Sequence, residues 1–424
     1  MTSQPKTGFT CYQVGGSVRD QLLGIPSQDR DWVVVGESPQ TLLNLGYQQV
    51  GADFPVFLHP LTSEEYALAR TERKTGPGYR GFSVLSGPEV TLEEDLIRRD
   101  LTINAMALDC QGRLIDPFGG EADLNSRTLR HVSSAFAEDP LRVVRVARFM
   151  ARFAPLGFTI APETQTLMGQ LANSGALQEL TPERVWMETH KALLSPSPSL
   201  FFKTLHHTHA LQEIFPELAA LVGQEQVAKY HPEGDAWEHT LLSLEAATQL
   251  SDKPEIRLAA LLHDLGKGLT PAEQLPHHCG HEAYGAREVA SLCQRLKIPK
   301  SFKKLATMTA RHHLHCHRLQ EMRPNRIVKL LNQLDGFRNP QGIDAFVLAC
   351  TADKWGRGAK SRHTPYREGE LLKRCLAACQ KIDNSLFSAA GLQGKAFGEA
   401  LHHARVKTVN SINKRSLSTQ PEDK

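Results

Sequence analysis

The chain of 424 residues contains no uninterrupted run of about 18 apolar residues, the minimum for a helix that crosses a bilayer. Its first ten residues also lack the succession of basic, apolar and small residues that marks a secretory signal. These absences disfavour the membrane-spanning and exported classes. We therefore expect a soluble, cytoplasmic protein with no membrane partner.

Cysteine is also scarce, with eight residues scattered along the chain and no Cys-x-x-Cys pair. Cys375 and Cys379 lie one helical turn apart, which suits reduced thiols better than a disulfide framework. The chain also has no large excess of acidic or basic residues, since the net charge is +3 and the pI about 8.4. A charge balance this even permits a nucleic-acid partner without requiring one.

The most informative stretch lies near the N-terminus, where a Gly-Gly turn precedes two closely spaced carboxylates. Apolar residues before Gly15 and Gly16, a potential helix cap at Ser17 and a β-branched segment after Asp31 predict strand, turn, helix and strand. Asp29 and Asp31 are two residues apart, so a strand would point both to one face, where they could share divalent cations. An isolated Asp-x-Asp is usually a solvated turn, so this interpretation depends on the neighbouring residues.

The neighbouring residues form the pattern Gly-Gly-Ser-Val-Arg-Asp-x-Leu-Leu-Gly, which with Asp-x-Asp resembles the nucleotidyltransferase head of the DNA polymerase β superfamily. More narrowly, it is similar to the tRNA nucleotidyltransferase and poly(A) polymerase family of bacteria. The resemblance implies that Asp29 and Asp31 are catalytic and hold Mg²⁺, and that Gly16 and Arg19 bind the nucleotide. Glu65 is either a third carboxylate of this site or a surface charge.

A second basic stretch, Arg-Arg-Asp-Leu-Thr-Ile-Asn-Ala-Met-Ala, follows a predicted capping box at Thr91 and Glu94. Arg99 could bind a phosphate, and Asp100 could accept a hydrogen bond from a ribose hydroxyl, because a carboxylate only accepts. In isolation these residues would indicate a surface salt-bridge cluster. They resemble the ribose-recognition motif of the family, which implies that Arg99 and Asp100 bind nucleotide.

A third motif is a helix with one cationic stripe. Arginines recur after Pro140 at intervals of three, three and four residues, at Arg142, Arg145, Arg148 and Arg152. Such a stripe is usually a solvated or generic nucleic-acid face, but Asp139 changes the interpretation. A carboxylate that accepts and an Arg142 side chain that donates fit the pairing edges of cytosine and adenine and reject uracil and guanine. Glu-Asp-x-x-Arg is similar to the base-reading motif of class II CCA-adding enzymes, so Arg145 and Arg148 would face the triphosphate.

Other segments are assigned to structure. Three segments rich in glycine, proline or serine are predicted to be a mobile loop, a hinge and a domain break, at 75–81, 116–120 and 195–199. Residues 181–188 resemble the fifth motif of the family. Pairing of Glu183 or Arg184 with Glu188 would stabilise the helical neck there.

A second catalytic unit is predicted from a set of imidazoles and carboxylates, His239, His263, Asp264 and Asp353. A set of mixed nitrogen and oxygen donors indicates a site for a transition metal or a hard cation, rather than a zinc site built from cysteine thiolates. An apolar helix precedes His263, and Gly-Lys-Gly follows soon after Asp264. The set resembles the metal ligands of the HD phosphohydrolase superfamily, and the family suggests Ni²⁺.

Histidines are unusually dense after this motif, at 277, 278, 281, 312, 313, 315 and 317. A zinc finger is disfavoured because no Cys-x-x-Cys accompanies them. We expect His281, with His312 or His313, to add a second metal ligand or to bind substrate phosphate.

The predicted fold class is an α/β nucleotidyltransferase head followed by an all-α neck, body and HD domain. The predicted divisions are a head at 1–137, a neck with the base-reading helix at 138–195, a body at 196–235, an HD domain at 236–355, and a helical C-terminal region with a frayed tail at 356–424.

The resemblance is strongest to bacterial multifunctional CCA-adding enzymes, which carry a C-terminal HD domain. It implies template-independent addition of C, C and A to tRNA 3′ ends from CTP and ATP. It also implies phosphatase, 2′-nucleotidase and 2′,3′-cyclic phosphodiesterase activity at the HD centre. The alternatives are a poly(A) polymerase-like enzyme, or an HD phosphatase with a non-catalytic tRNA-binding head. The expected partners are tRNA, CTP and ATP, and the chain is expected to be a monomer or homodimer.

Overall fold

A computed structural model describes residues 8–26, 30–50, 56–74 and 82–417 of the chain. It divides into two compact units, Met1–Ile214 and Phe215–Lys424, here called the N-unit and the C-unit. Asp29 and the predicted mobile loop at 75–81 lie outside the described residues.

The N-unit contains all the strands among the described residues. They are β1 (Thr10–Val14), β2 (Asp31–Val35), β3 (Gln48–Val50), β4 (Val56–Leu58), β5 (Glu65–Leu68), β6 (Arg70–Lys74), β7 (Phe82–Ser86), β8 (Ala107–Leu108), β9 (Leu114–Ile115), β10 (Thr128–Leu129) and β11 (Thr159–Ile160). Seven of them form one mixed sheet in the order β3-β4-β5-β2-β1-β8-β9, and β6-β7 and β10-β11 form two-stranded sheets.

The helices of the N-unit lie between and after these strands in the chain. They are α1 (Gly16–Leu22), α2 (Pro39–Asn44), α3 (Leu92–Ile97), α4 (Gly120–Asn125), α5 (Leu141–Phe153), α6 (Pro162–Asn173), α7 (Pro182–Leu193), α8 (Ser199–His207) and α9 (Leu211–Ile214). Several of their ends follow local sequence rules. Ser38 caps α2, and Thr91 with Glu94 forms the predicted capping box of α3.

The central strands bury one apolar layer on each face of the sheet. Trp32 packs on one face and stacks on Tyr66 of β5, with ring centroids 5.6 Å apart. Val14 and Val33 pack on the other face in a cluster that includes residues of α3. This alternation fixes the direction of every side chain on β2.

The C-unit is helical throughout its described residues. Its helices are α10 (Pro216–Ala219), α11 (Ala236–Leu250), α12 (Pro254–Leu262), α13 (His281–Arg295), α14 (Lys300–His317), α15 (Pro324–Gln333), α16 (Pro340–Gly356), α17 (Arg367–Gln380), α18 (Ser385–Ala389) and α19 (Gly394–Leu417). One apolar core joins α14, α15, α16, α17 and α19. In the part of the chain that the structure describes, every helix is too short or too polar to span a bilayer.

Two candidate active sites

The glycine turn of the N-unit lies at a cavity of about 600 Å³. Gly15 is the N-cap of α1 and has a φ of 70°, a conformation that favours glycine. A Cβ atom at this position would also lie 2.7 Å from Arg99 Nη1, so a side chain here would displace the Arg99 guanidinium. The prediction that Ser17 caps this helix was wrong, because its hydroxyl donates to the Val14 carbonyl oxygen at 3.0 Å.

Two carboxylates line the same cavity at the start of neighbouring strands. Asp31 begins β2 and lies opposite Glu65 of the parallel strand β5. Cα partners in adjacent strands point their side chains to the same face of a sheet. Glu65, for which the sequence left two interpretations open, therefore lies beside Asp31 in the cavity. Asp29, predicted to share the cation with Asp31, is outside the described residues.

The two arginines nearest the glycine turn are held by carboxylates. Arg19 is almost fully buried and its Nη2 lies 2.8 Å from Asp20 Oδ1, while its guanidinium also hydrogen-bonds the Asn104 side chain. Arg99 forms an ion pair with Asp95 at 2.9 Å. Both line the cavity, so the structure brings them together with the glycine turn.

Asp100 is buried at the cavity wall with its oxygens already engaged. It accepts hydrogen bonds from the Leu101 backbone N–H at 2.9 Å and from Asn104 Nδ2 at 2.8 Å, and pairs with Arg145 at 2.6 Å. Burial alone would raise the pKa of Asp100. The charge of Arg145 and the hydrogen bond from Asn104 outweigh burial and lower the pKa below its usual value. Asp100 is therefore an ionised, rigidly held acceptor.

The arginines of α5 all face the cavity, as the stripe predicted. Each has a partner: Arg145 pairs with Asp100, Arg148 with Glu188 of α7, and Arg152 with Asp20. The Arg148 guanidinium also lies over the Phe149 ring, 4.1 Å from its centroid. The stripe is therefore embedded in an ion-pair network.

Asp139 and Arg142 line the cavity but bind different partners. Asp139 Oδ2 accepts from Arg184 Nη2 at 2.7 Å. Arg142 donates to the backbone carbonyl oxygens of Ala135 at 2.6 Å and Arg98 at 2.5 Å. Arg184, which the sequence assigned to structure alone, is thus a cavity residue beside Asp139.

In the C-unit, the four predicted HD residues converge. His239 Nε2 lies 3.3 Å from His263 Nε2 and 3.3 Å from Asp353 Oδ1, and His263 Nε2 lies 3.2 Å from Asp264 Oδ2. Metal–ligand bonds of about 2.1 Å place neighbouring ligand atoms roughly 3.0 to 3.4 Å apart. The spacing of these buried atoms therefore fits one bound cation.

A second ligand set shares Asp264. Its Oδ1 lies 3.3 Å from His281 Nε2 and 3.5 Å from His313 Nε2, and these two nitrogens are 3.4 Å apart. These three residues could hold a second cation, with Asp264 between the two positions. The sequence analysis expected either His312 or His313 to act with His281. His313 belongs to this set, whereas His312 lines a different cavity.

The ring tautomers support metal binding. His263 Nδ1 lies 2.7 Å from the Ala260 carbonyl oxygen, His281 Nδ1 lies 2.7 Å from the His278 carbonyl oxygen, and His313 Nδ1 contacts two helix carbonyls at 3.1 Å. Since a carbonyl only accepts, each Nδ1 carries the proton and each Nε2 offers a lone pair. Lone pairs and carboxylates pointing at one another repel unless a cation lies between them.

His239 has an equivalent partner in Glu233. Glu233 Oε1 lies 2.6 Å from His239 Nδ1 and 2.9 Å from His231 Nδ1, and its side chain is only 2% exposed. Burial raises the pKa of Glu233, but hydrogen bonds from His231 and His239 outweigh it and lower the pKa to about 2. The ionised carboxylate directs His239 Nε2 toward the centre. The sequence offered little signal for Glu233, which lies in the loop before α11.

The HD centre opens into a cavity of about 840 Å³. Lys267 Nζ lies 2.6 Å from Asp264 Oδ2, and Arg357 pairs with Asp353 at 3.1 Å. His317 Nε2 contacts Asp353 Oδ2 at 2.5 Å, so its Nδ1 accepts from the Tyr366 hydroxyl at 2.9 Å. The centre therefore carries both cationic and imidazole groups suited to a phosphate ester.

Comparison with known families matches three segments of the chain. A model of the poly A polymerase head domain matches residues 11–130, and one described as a probable RNA and SrmB-binding site of polymerase A matches residues 157–221. A model of the HD domain matches residues 236–339. The two candidate sites lie mainly in the first and third of these regions, with α5 between the first and second.

Curated relatives match almost the whole chain. The multifunctional CCA protein of Hahella chejuensis (strain KCTC 2396) is 54% identical over 398 residues, which are 94% of this chain and 94% of that protein. That of Thioalkalivibrio sulfidiphilus (strain HL-EbGR7) is 54% identical over 402 residues, covering 95% of this chain and 98% of that protein. The chain belongs to the multifunctional CCA protein family.

Solved structures agree on the fold. A CCA-adding enzyme of Bacillus stearothermophilus in complex with CTP is 25% identical, with a TM-score of 0.61 over 95% of this chain and 89% of that chain. A Thermotoga maritima CCA-adding enzyme complexed with tRNA is 21% identical, with a TM-score of 0.61 over 97% and 91%. The predicted fold class, a nucleotidyltransferase head followed by helical regions and an HD domain, is confirmed.

As a member of the multifunctional CCA protein family, the chain is a CCA-adding nucleotidyltransferase that carries an HD domain. The residue assignments and the five-part division of the chain stay predictions. Sequence reasoning missed the roles of Asp95, Arg184 and Glu233. Asp95 pairs with Arg99 four residues later, a helical spacing that could have indicated the pair, whereas the partner of Arg184 is 45 residues away.

Proposed function

We propose that this chain adds C, C and A in turn to tRNA 3′ ends from CTP and ATP without a nucleic-acid template. Its HD centre acts as a phosphatase, 2′-nucleotidase and 2′,3′-cyclic phosphodiesterase. The observation that carries the first proposal is that one cavity of about 600 Å³ contains the carboxylates, the arginine stripe and Asp139. A cavity of that volume is in the usual range for small-molecule ligands.

Asp31 and Asp29 are the proposed catalytic residues, with Glu65 as a third carboxylate. We infer that they hold Mg²⁺, which when bound lowers the pKa of the attacking 3′ hydroxyl and neutralises charge on the phosphates. Asp31 is fixed at the start of a strand that pairs on both sides. The sheet therefore determines where the carboxylates stand relative to the glycine turn.

The triphosphate is proposed to bind Gly16, Arg19, Arg99, Arg145 and Arg148, and the ribose to bind Asp100. Arg145 and Arg148 face the cavity while paired with Asp100 and Glu188. Since a guanidinium has five N–H donors, each can keep its carboxylate partner and still donate to a phosphate oxygen.

Base selection is proposed for Asp139 and Arg142. The Asp139 carboxylate accepts from the exocyclic amino group that cytosine and adenine share, and uracil presents a carbonyl there instead. Arg184 holds this carboxylate in place. Arg142 donates to two backbone carbonyls, so its share of base reading requires the guanidinium to turn toward the nucleotide.

For the HD centre, we propose Ni²⁺ bound by His239, His263, Asp264 and Asp353. A cation there supplies a Lewis acid that polarises the phosphate and activates water. Lys267 and Arg357 line the same cavity and offer N–H donors to the phosphate oxygens.

The decisive experiment supplies CTP alone to a tRNA that lacks its terminal trinucleotide. We expect incorporation of two residues followed by arrest, and a third addition only when ATP is present. Failure to use CTP while ATP is polymerised would favour the poly(A) polymerase alternative.

The Asp31→Ala variant separates the two active sites. We expect loss of nucleotide addition with hydrolysis of 2′-AMP unchanged, and Glu64→Ala, on the residue next to Glu65, is the control. Nucleotide addition that persists in Asp31→Ala would favour a non-catalytic head.

We propose a cytoplasmic location, since all eight cysteines are free thiols. The assembly is proposed to be a monomer or homodimer, which light scattering would distinguish.

A further inference from the structure

A second cavity of the C-unit, of about 320 Å³, lies outside the HD centre. Three helices, α13, α14 and α15, supply most of its wall. The residues that line it are Glu282, Ala283, Arg311, His312, His315, Met322, Arg326, Lys329, Leu330 and Gln333. Basic and imidazole side chains thus outnumber the one carboxylate.

The cations of this cavity are not neutralised by the protein. Within the part of the chain that the structure describes, no carboxylate lies within 4.0 Å of Arg311, Arg326 or Lys329. This differs from the N-unit cavity, where the arginines of α5 have carboxylate partners. Three unpaired cations around one concavity create a positive potential that attracts an anion.

His312 gives a second, independent indication of a ligand. Its side chain is buried, with 6% exposure, yet neither ring nitrogen hydrogen-bonds another described residue. The His315 ring lies beside it, with centroids 5.6 Å apart. A buried polar group without a partner costs free energy, and a ligand in the cavity could offset that cost.

The cavity adjoins the HD centre through shared helices. On α14, His313 and His317 line the HD cavity, whereas Arg311, His312 and His315 line the second cavity. Glu282, which follows His281 at the start of α13, lines both. The two cavities therefore share part of their wall at Glu282.

We propose that this cavity binds a phosphodiester of the RNA strand whose terminal phosphate is hydrolysed at the HD centre. The proposal rests on the phosphohydrolase activity proposed above. Arg326, Lys329 and Arg311 supply donors to the phosphate, and the partly buried Met322 offers an apolar surface to a base. Such contacts would strengthen the binding of an RNA end. A mononucleotide bound at the HD centre is too short to contact the second cavity and would gain nothing from them.

The test compares two substrates of the HD centre in the full-length, metal-loaded protein. The substrates are 2′-AMP and a short oligoribonucleotide that ends in a 2′,3′-cyclic phosphate. In the double variant Arg326→Gln, Lys329→Gln, we expect KM for the oligoribonucleotide to rise about tenfold with kcat unchanged, because two of the three cations that contact the phosphodiester are lost. KM for 2′-AMP stays unchanged.

The matched control is Arg374→Gln, Lys381→Gln, which removes two exposed cations of the same unit outside both cavities. We expect it to leave both KM values unchanged. An equal rise of KM for both substrates, or no rise for either, in the Arg326, Lys329 variant would overturn the RNA subsite. A rise for 2′-AMP alone would assign the cavity to free nucleotides and also overturn it.

Equilibrium binding separates failure of the subsite from failure of the proposed HD function. Fluorescence anisotropy of a labelled oligoribonucleotide with a 3′-phosphate measures affinity without hydrolysis. We expect weaker binding by the double variant and a salt dependence reduced by about 0.7 in slope, since the subsite neutralises one phosphodiester and single-stranded RNA contributes about 0.7 for each phosphate neutralised. Unchanged affinity and slope would refute the subsite even if hydrolysis is observed.

Discussion

Individual side chains determine what each site can bind. In the HD centre, the contacts of each histidine Nδ1 determine whether its Nε2 faces the metal position. His263, His281 and His313 direct Nδ1 to backbone carbonyls, and His239 directs it to Glu233. The carbonyls that contact His263 and His313 belong to α12 and α14, and the one that contacts His281 lies just before α13, whereas Glu233 is a single side chain on a loop. The orientation of His239 therefore depends on one residue.

Glu233→Gln should weaken metal binding at the HD centre by about 10- to 100-fold, the usual effect of losing a carboxylate behind a ligating histidine. The amide can still accept a hydrogen bond but loses the negative charge that stabilises the ligand. Titration of the metal-free protein with Ni²⁺ against a competing chelator measures the change. Glu238→Gln, an exposed residue on α11, is the control. Unaltered affinity in Glu233→Gln would show that the 2.6 Å contact does not support the ligand.

Arg184→Gln should reduce the preference for CTP over UTP about tenfold, because Asp139 loses the cation that orients its carboxylate. The ratio of kcat/KM for the two nucleotides is the measurement, since a purely structural role would lower both equally. Lys191→Gln, an exposed residue on the same helix, should leave the ratio unchanged. If the ratio is also unchanged in Arg184→Gln, Asp139 is positioned by other contacts.

At the scale of elements, α5 shows what the sequence could predict. Its arginine spacing determined which residues share a face, and all four line the cavity. The partners of those arginines could not be predicted in this way. Asp139 and Arg184 are 45 residues apart, and Arg148 and Glu188 are 40 apart, so only the packing of α5 against α7 brings them together.

Local rules at helix ends were reliable only where one candidate residue was available. Thr91 and Glu94 formed the predicted capping box. Ser17 was predicted as a cap, but Gly15 holds that position, where the positive φ favours glycine and the Arg99 guanidinium packs against the backbone. The constraint comes from a residue of a distant segment, which a local pattern does not contain.

Glu188→Ala should lower the free energy of unfolding of the N-unit by about 3 to 5 kcal/mol, because it leaves Arg148 buried without its carboxylate. Burial lowers the pKa of Arg148, and the charge of Glu188 opposes this effect. Calorimetry of the full chain measures the transition. Glu188→Gln keeps an acceptor and should lose less, and Met187→Ala, at a residue that is 51% exposed, should change little. Equal stability of Glu188→Ala and wild type would show that the ion pair contributes nothing net.

At the scale of the whole molecule, the two sites use different ligand chemistry in separate compact units. Family motifs in the sequence predicted the nucleotidyltransferase head and the HD domain, which the family comparisons confirm. The motifs gave no indication of the second cavity beside the HD centre, because its lining residues are spread over three helices. Carboxylate oxygens alone suit Mg²⁺, and mixed imidazole and carboxylate donors suit a transition metal. The activities should therefore separate by metal.

Removal of all divalent cations with a chelator, followed by dialysis, should abolish both activities. Addition of Mg²⁺ should restore nucleotide addition but little hydrolysis of 2′-AMP, since Mg²⁺ prefers oxygen ligands and the HD set offers two imidazoles. Subsequent addition of Ni²⁺ should restore hydrolysis. His263→Ala is the control, because it should remove hydrolysis under every condition and leave Mg²⁺-dependent addition intact. Full recovery of both activities with Mg²⁺ alone would contradict the assignment of a transition metal to the HD centre, because the imidazole donors would then confer no selectivity.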